Sequence, residues 1–281
     1  MQTLGYDGIK ALIKLLETEA DTYGPVLKRA LAAAIKTNPA QVQQVMEEQF
    51  QTSAPRTVIS TLEEICWEDL SAALSRFAAK INPDLEEGLS LLSKFTSPAS
   101  VRGDISAPLD AMAAELRPVL LNAKNYSEIA SLLGRYIFQV KGFTPMQTRL
   151  DVKDISFARF LRKKRGSSLC AACLYMCLGQ RYGMDINLID LAGRILVHMR
   201  DFARCENLFI DPLDNGKALS LADCQSYIRA RQINWTEDFL TPLSSRQIIR
   251  RAVANMIFIS NKLRDERRLA YLRNYLQIIR G

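Results

Sequence analysis

The sequence predicts an α+β fold that is predominantly α-helical, and three observations support this prediction. Up to about residue 139, apolar residues recur at the three- and four-residue spacing of helices. Two later segments have short apolar runs around a glycine or an Asp-Asn-Gly turn, which is typical of buried strands. Helical spacing then returns and continues to the end of the chain. This order favours α+β over the regular strand-helix alternation of a parallel sheet.

The first half divides into helices at proline-containing steps. Apolar residues from Ile9 to Leu16 define the first helix, and we expect interruptions at Gly24-Pro25, Asn38-Pro39 and Ser53-Ala54-Pro55. Further helices are predicted over residues 57–80, 84–95, 107–122 and 126–139.

Strands are predicted in the second half. They lie in "INLIDLAGRILVHM" (186–199) and "NLFIDPLDNGKAL" (207–219), and helices are expected over 221–230 and, as one long element, 245–279. We divide the chain into a helical region (1–103), a core (104–240) and a basic C-terminal helical segment (241–281).

Positive charge is concentrated at the C-terminus. The net charge is +7, and residues 241–281 alone contain 9 basic and 2 acidic side chains. Such a segment is a candidate for binding an acidic partner or nucleic acid, although a solvated helix face is the favoured interpretation. The candidate binding residues are Arg246, Arg250, Arg251, Arg264, Arg267 and Arg268.

The stretch "GSSLCAACLYMC" (166–177) places three cysteines behind a Gly-Ser-Ser turn. On a helix, Cys170, Cys173 and Cys177 share one face, and Ser168 points in nearly the opposite direction. A metal site would need further ligands from Cys205, Cys224 or His198, the only histidine, and the spacing matches no standard zinc motif. Buried core cysteines are therefore the favoured interpretation, with no metal or cofactor.

The composition also favours a cytoplasmic protein. The sequence has no signal-peptide pattern and no apolar run of membrane-spanning length, so we expect no association with a membrane. The six cysteines are then expected to be reduced thiols.

Several segments together resemble a known family. They are "LEEGLSLLSKF" (85–95), "FLRKKRGSSLCAACLYMCLGQRYGM" (160–184), "LAGRILVHMR" (191–200), "NLFIDPLDNGKALS" (207–220) and "RQIIRRAVANMIFISNKL" (246–263). Their order and spacing are similar to the bacterial SirB family of transglutaminase-core-like proteins. The resemblance implies a helical first part, a transglutaminase/papain-like core of one helix on a small antiparallel sheet, and C-terminal helices.

Active members of that wider superfamily use Cys, His and Asp, and the resemblance places these roles at Ser168, Arg194 and Asp211. A serine hydroxyl needs a base, and arginine offers only hydrogen-bond donors. The resemblance therefore implies a degenerate triad, in which Arg194 forms an ion pair with Asp211 or reaches solvent.

We consider three functions. The leading hypothesis is a non-catalytic scaffold that binds a protein partner, with a regulatory role implied by the resemblance. The second is a peptidase, amidase or transglutaminase that uses Ser168 or Cys170 with His198, although His198 would lie about 13 Å along the strand from Arg194. The third is nucleic-acid binding by the basic C-terminal segment.

Overall fold

The computed structural model describes residues 4–49, 55–98, 100–146, 148, 150–201 and 206–280. Contacts divide the chain into two compact units. The first unit comprises the chain up to Ala73 together with Lys94–Ser100, and the second comprises Leu74–Ser93 and the chain from Val101 onward. The three-part division made from the sequence stays a prediction.

The first unit is helical. Its elements are α1 (Tyr6–Thr18), α2 (Ala20–Thr37), α3 (Pro39–Gln49) and the part of α4 (Arg56–Ala79) that ends at Ala73. Apolar side chains spaced three and four apart, such as Ile9, Ile13 and Leu16 on α1, form its core. The interruption predicted at Gly24-Pro25 is wrong, because α1 and α2 meet at Glu19 and Pro25 lies inside α2. As the sixth residue of α2, Pro25 removes one hydrogen bond of the helix without ending it.

The second unit contains the remaining helices. They are α5 (Leu85–Thr96, of which the residues up to Ser93 belong here), α6 (Gly103–Leu120), α7 (Tyr126–Gly134), α8 (Phe157–Lys163), α9 (Ser168–Gln180), α10 (Leu221–Arg229), α11 (Ser245–Lys262) and α12 (Glu266–Ile278). A π-helical turn, Arg135–Val140, continues α7, and 3₁₀ turns lie at Val152–Ile155, Pro212–Asp214 and Glu237–Leu240. Helix α9 is buried from Leu169 to Gly179, as expected of a helix that is apolar on every side.

Two small sheets complete the second unit. Strands β1 (Thr144–Met146) and β2 (Arg165–Ser167) pair in parallel, and β3 (Ile186–Leu191), β4 (Arg194–Asp201), β5 (Glu206–Asp211) and β6 (Lys217–Leu219) form an antiparallel sheet in that order. Helix α9 packs against β3 and β4. Because side chains alternate along a strand, Arg194, Leu196 and His198 lie on the other face, where Leu196 packs with Cys224 and Ile228 of α10.

The basic C-terminal segment is not the single long helix that was predicted. Helix α11 ends at Lys262, and α12 begins at Glu266 and packs against α11. Arg264 has a positive φ of 53°, and the Asp265 carboxylate accepts a hydrogen bond from the Arg268 N–H at 3.1 Å. The left-handed residue and this N-terminal cap stop one helix and start the next.

The predicted fold class is confirmed: the chain is α+β and predominantly helical, with one buried helix on a small antiparallel sheet. Within the part of the chain that the structure describes, every helix is too short or too polar to cross a membrane.

Candidate functional site

Helix α9 begins at the candidate site, and its capping determines which serine is available. Strand β2 ends at Ser167, whose hydroxyl accepts a hydrogen bond from the Cys170 N–H at 3.3 Å. Ser167 is therefore the N-cap, and Ser168 is the first helical residue. The half-buried Ser168 hydroxyl has no hydrogen-bond partner among the described residues. It remains free to contact a ligand.

Two adjoining cavities meet at Ser168. The larger has a volume of about 600 Å³ and the smaller about 260 Å³. Ser168, Gly193, Ile195 and Leu213 line both. The start of α9, the β3–β4 turn and the residues after β5 thus form one site, which is where the resemblance placed the triad.

Arg194 and Asp211 form the ion pair that was predicted as one alternative. The Arg194 Nη2 group donates to Asp211 Oδ2, and the other carboxylate oxygen accepts the Leu213 N–H at 2.9 Å. Asp211 is fully buried, and the Arg194 side chain is 28% exposed. Arg194 also lies over the Tyr227 ring, 5.0 Å from its centroid. A cation held by a carboxylate thus lies at the position to which the resemblance assigned the base.

His198 lies away from Ser168. Its Nε2 is 2.9 Å from the Asn207 side-chain oxygen, and its ring stacks on Phe209 with centroids 5.2 Å apart. It is buried on the α10 face of the sheet, and neither described cavity includes it in its lining. The structure therefore does not bring the proposed alternative base to the serine.

The cysteines of α9 belong to the core, as predicted. The Cys170 thiol donates to the Ile155 carbonyl oxygen at 3.4 Å and accepts from the Ser167 hydroxyl at 3.3 Å. Burial raises the pKa of Cys170 to about 12, so the reactive thiolate is scarce at neutral pH. Burial likewise raises the pKa values of Cys173 and Cys177 well above the usual range of a thiol.

A metal site was weighed with Cys205 and Cys224 as further ligands. Cys205 lies outside the described residues. Within the described ranges, no three His, Cys, Asp or Glu side chains meet in a way that could hold a metal ion.

The candidate binding arginines of the C-terminal segment are spread over several environments. Arg246 donates to the Lys80 carbonyl oxygen, and Arg268 pairs with Asp265 at 3.3 Å. Arg250 and Arg264 are exposed, and Arg267 is half-buried.

Arg251 differs from the other five because it reaches the site. It pairs with Asp190 at 2.7 Å, donates to the Gly193 carbonyl oxygen at 2.9 Å and lines the larger cavity. Arg251 thereby fixes the β3–β4 turn that immediately precedes Arg194.

Sequence reasoning missed four side chains of the site. Tyr227 and Arg231 line the smaller cavity, and Phe258 and Lys262 line the larger one. In each pair the residues are four apart in the chain and a cation lies over an aromatic ring, which is a helical pattern that the sequence shows. What the sequence does not show is that both pairs face the start of α9.

The fold and the site together define a class of protein. A buried helix begins at a cavity beside an antiparallel sheet, and the three positions that the resemblance assigned to the triad lie on the helix start, the second strand and the end of the third strand. This arrangement is the core that the resemblance implied.

The family comparison agrees. A family model described as the transglutaminase-like superfamily matches residues 103–254, which is more than half of the chain. The protein therefore belongs to the transglutaminase-like superfamily. Comparisons with curated proteins and with solved structures return no match.

Proposed function

We propose that this protein is a non-catalytic, SirB-type member of the superfamily that acts by binding another protein. The observation that carries the proposal is the Arg194–Asp211 pair beside Ser168. The two positions that would supply and orient a base are held together as a salt bridge, and Ser168 stands where a thiol would be required.

Nucleophilic catalysis at Ser168 would need a group that accepts its proton. Arginine stays protonated and has no acceptor, so Arg194 cannot do this. His198 is on the α10 face of the sheet, bonded to Asn207 and stacked on Phe209. Cys170 is buried, and its thiol is hydrogen-bonded to the Ile155 carbonyl oxygen. These contacts support binding over acyl transfer.

The side chains on the rim of the larger cavity are evidence that the partner is a protein. Phe258 on α11 is 60% exposed, and the Lys262 ammonium group lies 4.3 Å from its ring centroid. Phenylalanine is among the residues that are enriched at protein interfaces relative to the rest of the surface. By contrast, Arg246, Arg251 and Arg268 make contacts within the protein, which supports a structural role for much of the basic segment over nucleic-acid binding.

One observation favours the acyl-transfer alternative: the free Ser168 hydroxyl opens onto both cavities. A fluorophosphonate probe, which phosphonylates activated serines with loss of fluoride, separates the two functions. We expect no labelling above the level of Ser168→Ala, because no base activates the hydroxyl. Stoichiometric labelling that disappears in Ser168→Ala would establish a catalytic serine and refute the proposal.

The proposed binding of a protein partner has its own test. A benzoylphenylalanine placed at Phe258 should crosslink a discrete partner in the native host on irradiation, because the side chain lies on the cavity rim. The matched control is the same group at Leu221, which is 40% exposed on α10 and lines neither described cavity. Absence of a discrete adduct at 258, or identical adducts at both positions, would contradict the proposal.

A further inference from the structure

We propose that the two cavities form a binding site for an organic anion, whose oxyanion group lies between Arg194 and Arg231 and whose apolar part enters the larger cavity. This inference rests on the proposed function, because it assigns the site to binding instead of catalysis. Its evidence is the charge and chemistry of the cavity walls.

The smaller cavity is cationic. Arg194 and Arg231 both lie over Tyr227, with their guanidinium carbons 5.0 Å and 3.5 Å from the ring centroid. Arg231 donates to the Tyr227 carbonyl oxygen at 3.3 Å and has no carboxylate partner among the described residues. The aromatic ring thus holds two guanidinium groups beside one small cavity, where both can donate to the same oxyanion.

The positive charge of the cavity walls is not balanced by acidic residues in the described lining. The described lining of both contains no Asp or Glu. Asp211 neutralises Arg194, and Asp190 neutralises Arg251, each through an ion pair. Arg231 and Lys262, in the part of the chain described, have no such carboxylate. An anion entering the site therefore meets two uncompensated positive charges.

Polar groups beside the guanidinium groups complete the anion site. The free Ser168 hydroxyl lies at the common wall of the cavities, and it opens the thirteen-residue helix α9. The positive end of a helix dipole favours negative charge at this position. The Nε group of Arg194 is buried and has no hydrogen-bond partner in the described structure.

The larger cavity suits the rest of the ligand. Apolar side chains from β1, α9 and α11 line it, including Met146, Leu169, Phe258 and Ile259. Its volume of about 600 Å³ is within the range of small-molecule sites. Lys262 also lines this cavity and adds a positive charge that no carboxylate among the described residues balances. The pair of cavities is therefore matched to a ligand with an oxyanion head and an apolar body.

The test is an NMR titration of the backbone amides of Ser168 and Gly193 at constant ionic strength. The probes are N-acetyl-L-phenylalanine and phenyl phosphate, which present a carboxylate and a phosphate, each on a small molecule with one phenyl ring. The neutral control is N-acetyl-L-phenylalaninamide. We expect at least one anion to shift both amides saturably, with a dissociation constant in the millimolar range, while the amide has no saturable effect. The anion that binds identifies the headgroup.

Arg231→Gln and Arg229→Gln form a matched pair of variants. Both arginines are exposed near the end of α10 and both changes remove one charge, but only Arg231 lines a cavity. We expect Arg231→Gln to weaken binding of the anion by about fivefold or more, as for a lost charge-assisted hydrogen bond, and Arg229→Gln to leave it within about twofold.

Three results would overturn the inference: no saturable shift with either anion, equal shifts with the neutral amide, or equal weakening by both variants. None of them would affect the proposed non-catalytic function, because the titration does not depend on turnover. Conversely, Ser168-dependent labelling by the fluorophosphonate would refute that function without changing the outcome of the titration.

Discussion

Replacing Arg194 with methionine leaves the Asp211 carboxylate inside the protein without its cation. Asp211 is fully buried and keeps the Leu213 N–H as a donor, so the change removes one of its two anchoring contacts. Breaking a buried ion pair from one side costs about 3–5 kcal/mol. Because the Arg194 side chain is 28% exposed, water can replace part of the lost interaction, and we expect a loss of about 3 kcal/mol in the free energy of unfolding.

The measurement is urea unfolding combined with a double-mutant cycle. Asp211→Asn keeps an oxygen that can accept the Leu213 N–H and removes the charge, so Arg194→Met should cost much less in that background. We expect a coupling free energy of at least about 1.5 kcal/mol and a fall in Tm of roughly 6–12 °C for Arg194→Met alone.

Arg229→Met is the control, because Arg229 is exposed on α10 and substitutions at such positions change stability by about 0.5 kcal/mol or less. Our reasoning fails if Arg194→Met is no more costly than this control. It also fails if the coupling with Asp211 is below about 0.5 kcal/mol.

Two further predictions concern the start of α9. Burial raises the pKa of Cys170 to about 12, so the thiolate fraction increases only as pH approaches that value; iodoacetamide should leave Cys170 unmodified in the native protein from pH 7 to 9. Mass spectrometry of the native and the urea-unfolded protein checks this, and native modification at pH 7 would contradict it. A Cβ added at Gly166 would lie 2.9 Å from both the Asp154 carbonyl oxygen and Phe160 Cδ2. Gly166→Ala should therefore cost about 1–3 kcal/mol in urea unfolding, and an unchanged midpoint would show that the backbone there can shift freely.

Much of the fold was predictable because the local patterns agree with the tertiary structure. The strand break at Gly193 and the turn at Asn215-Gly216 use residue types that readily adopt positive φ, and the structure has positive φ at all three. The burial of the α9 cysteines follows from helical geometry and their apolar neighbours.

Other elements were not predictable from local sequence. Strands β1 and β2 have three residues each and pair in parallel between positions 144–146 and 165–167. Segments this short show no alternation, and only their long-range pairing defines them as strands. The break between α11 and α12 was missed because Arg264 is not a usual left-handed residue, and apolar spacing continues on both sides of it.

The site was predictable in part. The family resemblance placed Ser168, Arg194 and Asp211 at one site. The structure brings Ser168 and Arg194 to the same cavity, and Asp211 forms an ion pair with Arg194. Tyr227 and Arg231 could not be assigned, because their place beside the cavity depends on how α10 packs on the face of the sheet that carries Arg194. Arg194 and His198 lie on the same face of β4, and their separation along the strand places Arg194 at Tyr227 and His198 at Phe209.

The isolation of the single histidine has a consequence for how the cavities respond to acidity. The side chains that line them include arginines and a lysine but, over the described residues, neither a histidine nor a carboxylate. Histidine is the residue whose ordinary pKa places a change of charge near neutrality. Among the described residues, the lining therefore holds no residue type whose ordinary pKa lies near neutrality. Because the proposed ligand carries the ionisable group, we expect the cationic cavities to bind the charged form of such a molecule more tightly than its uncharged form.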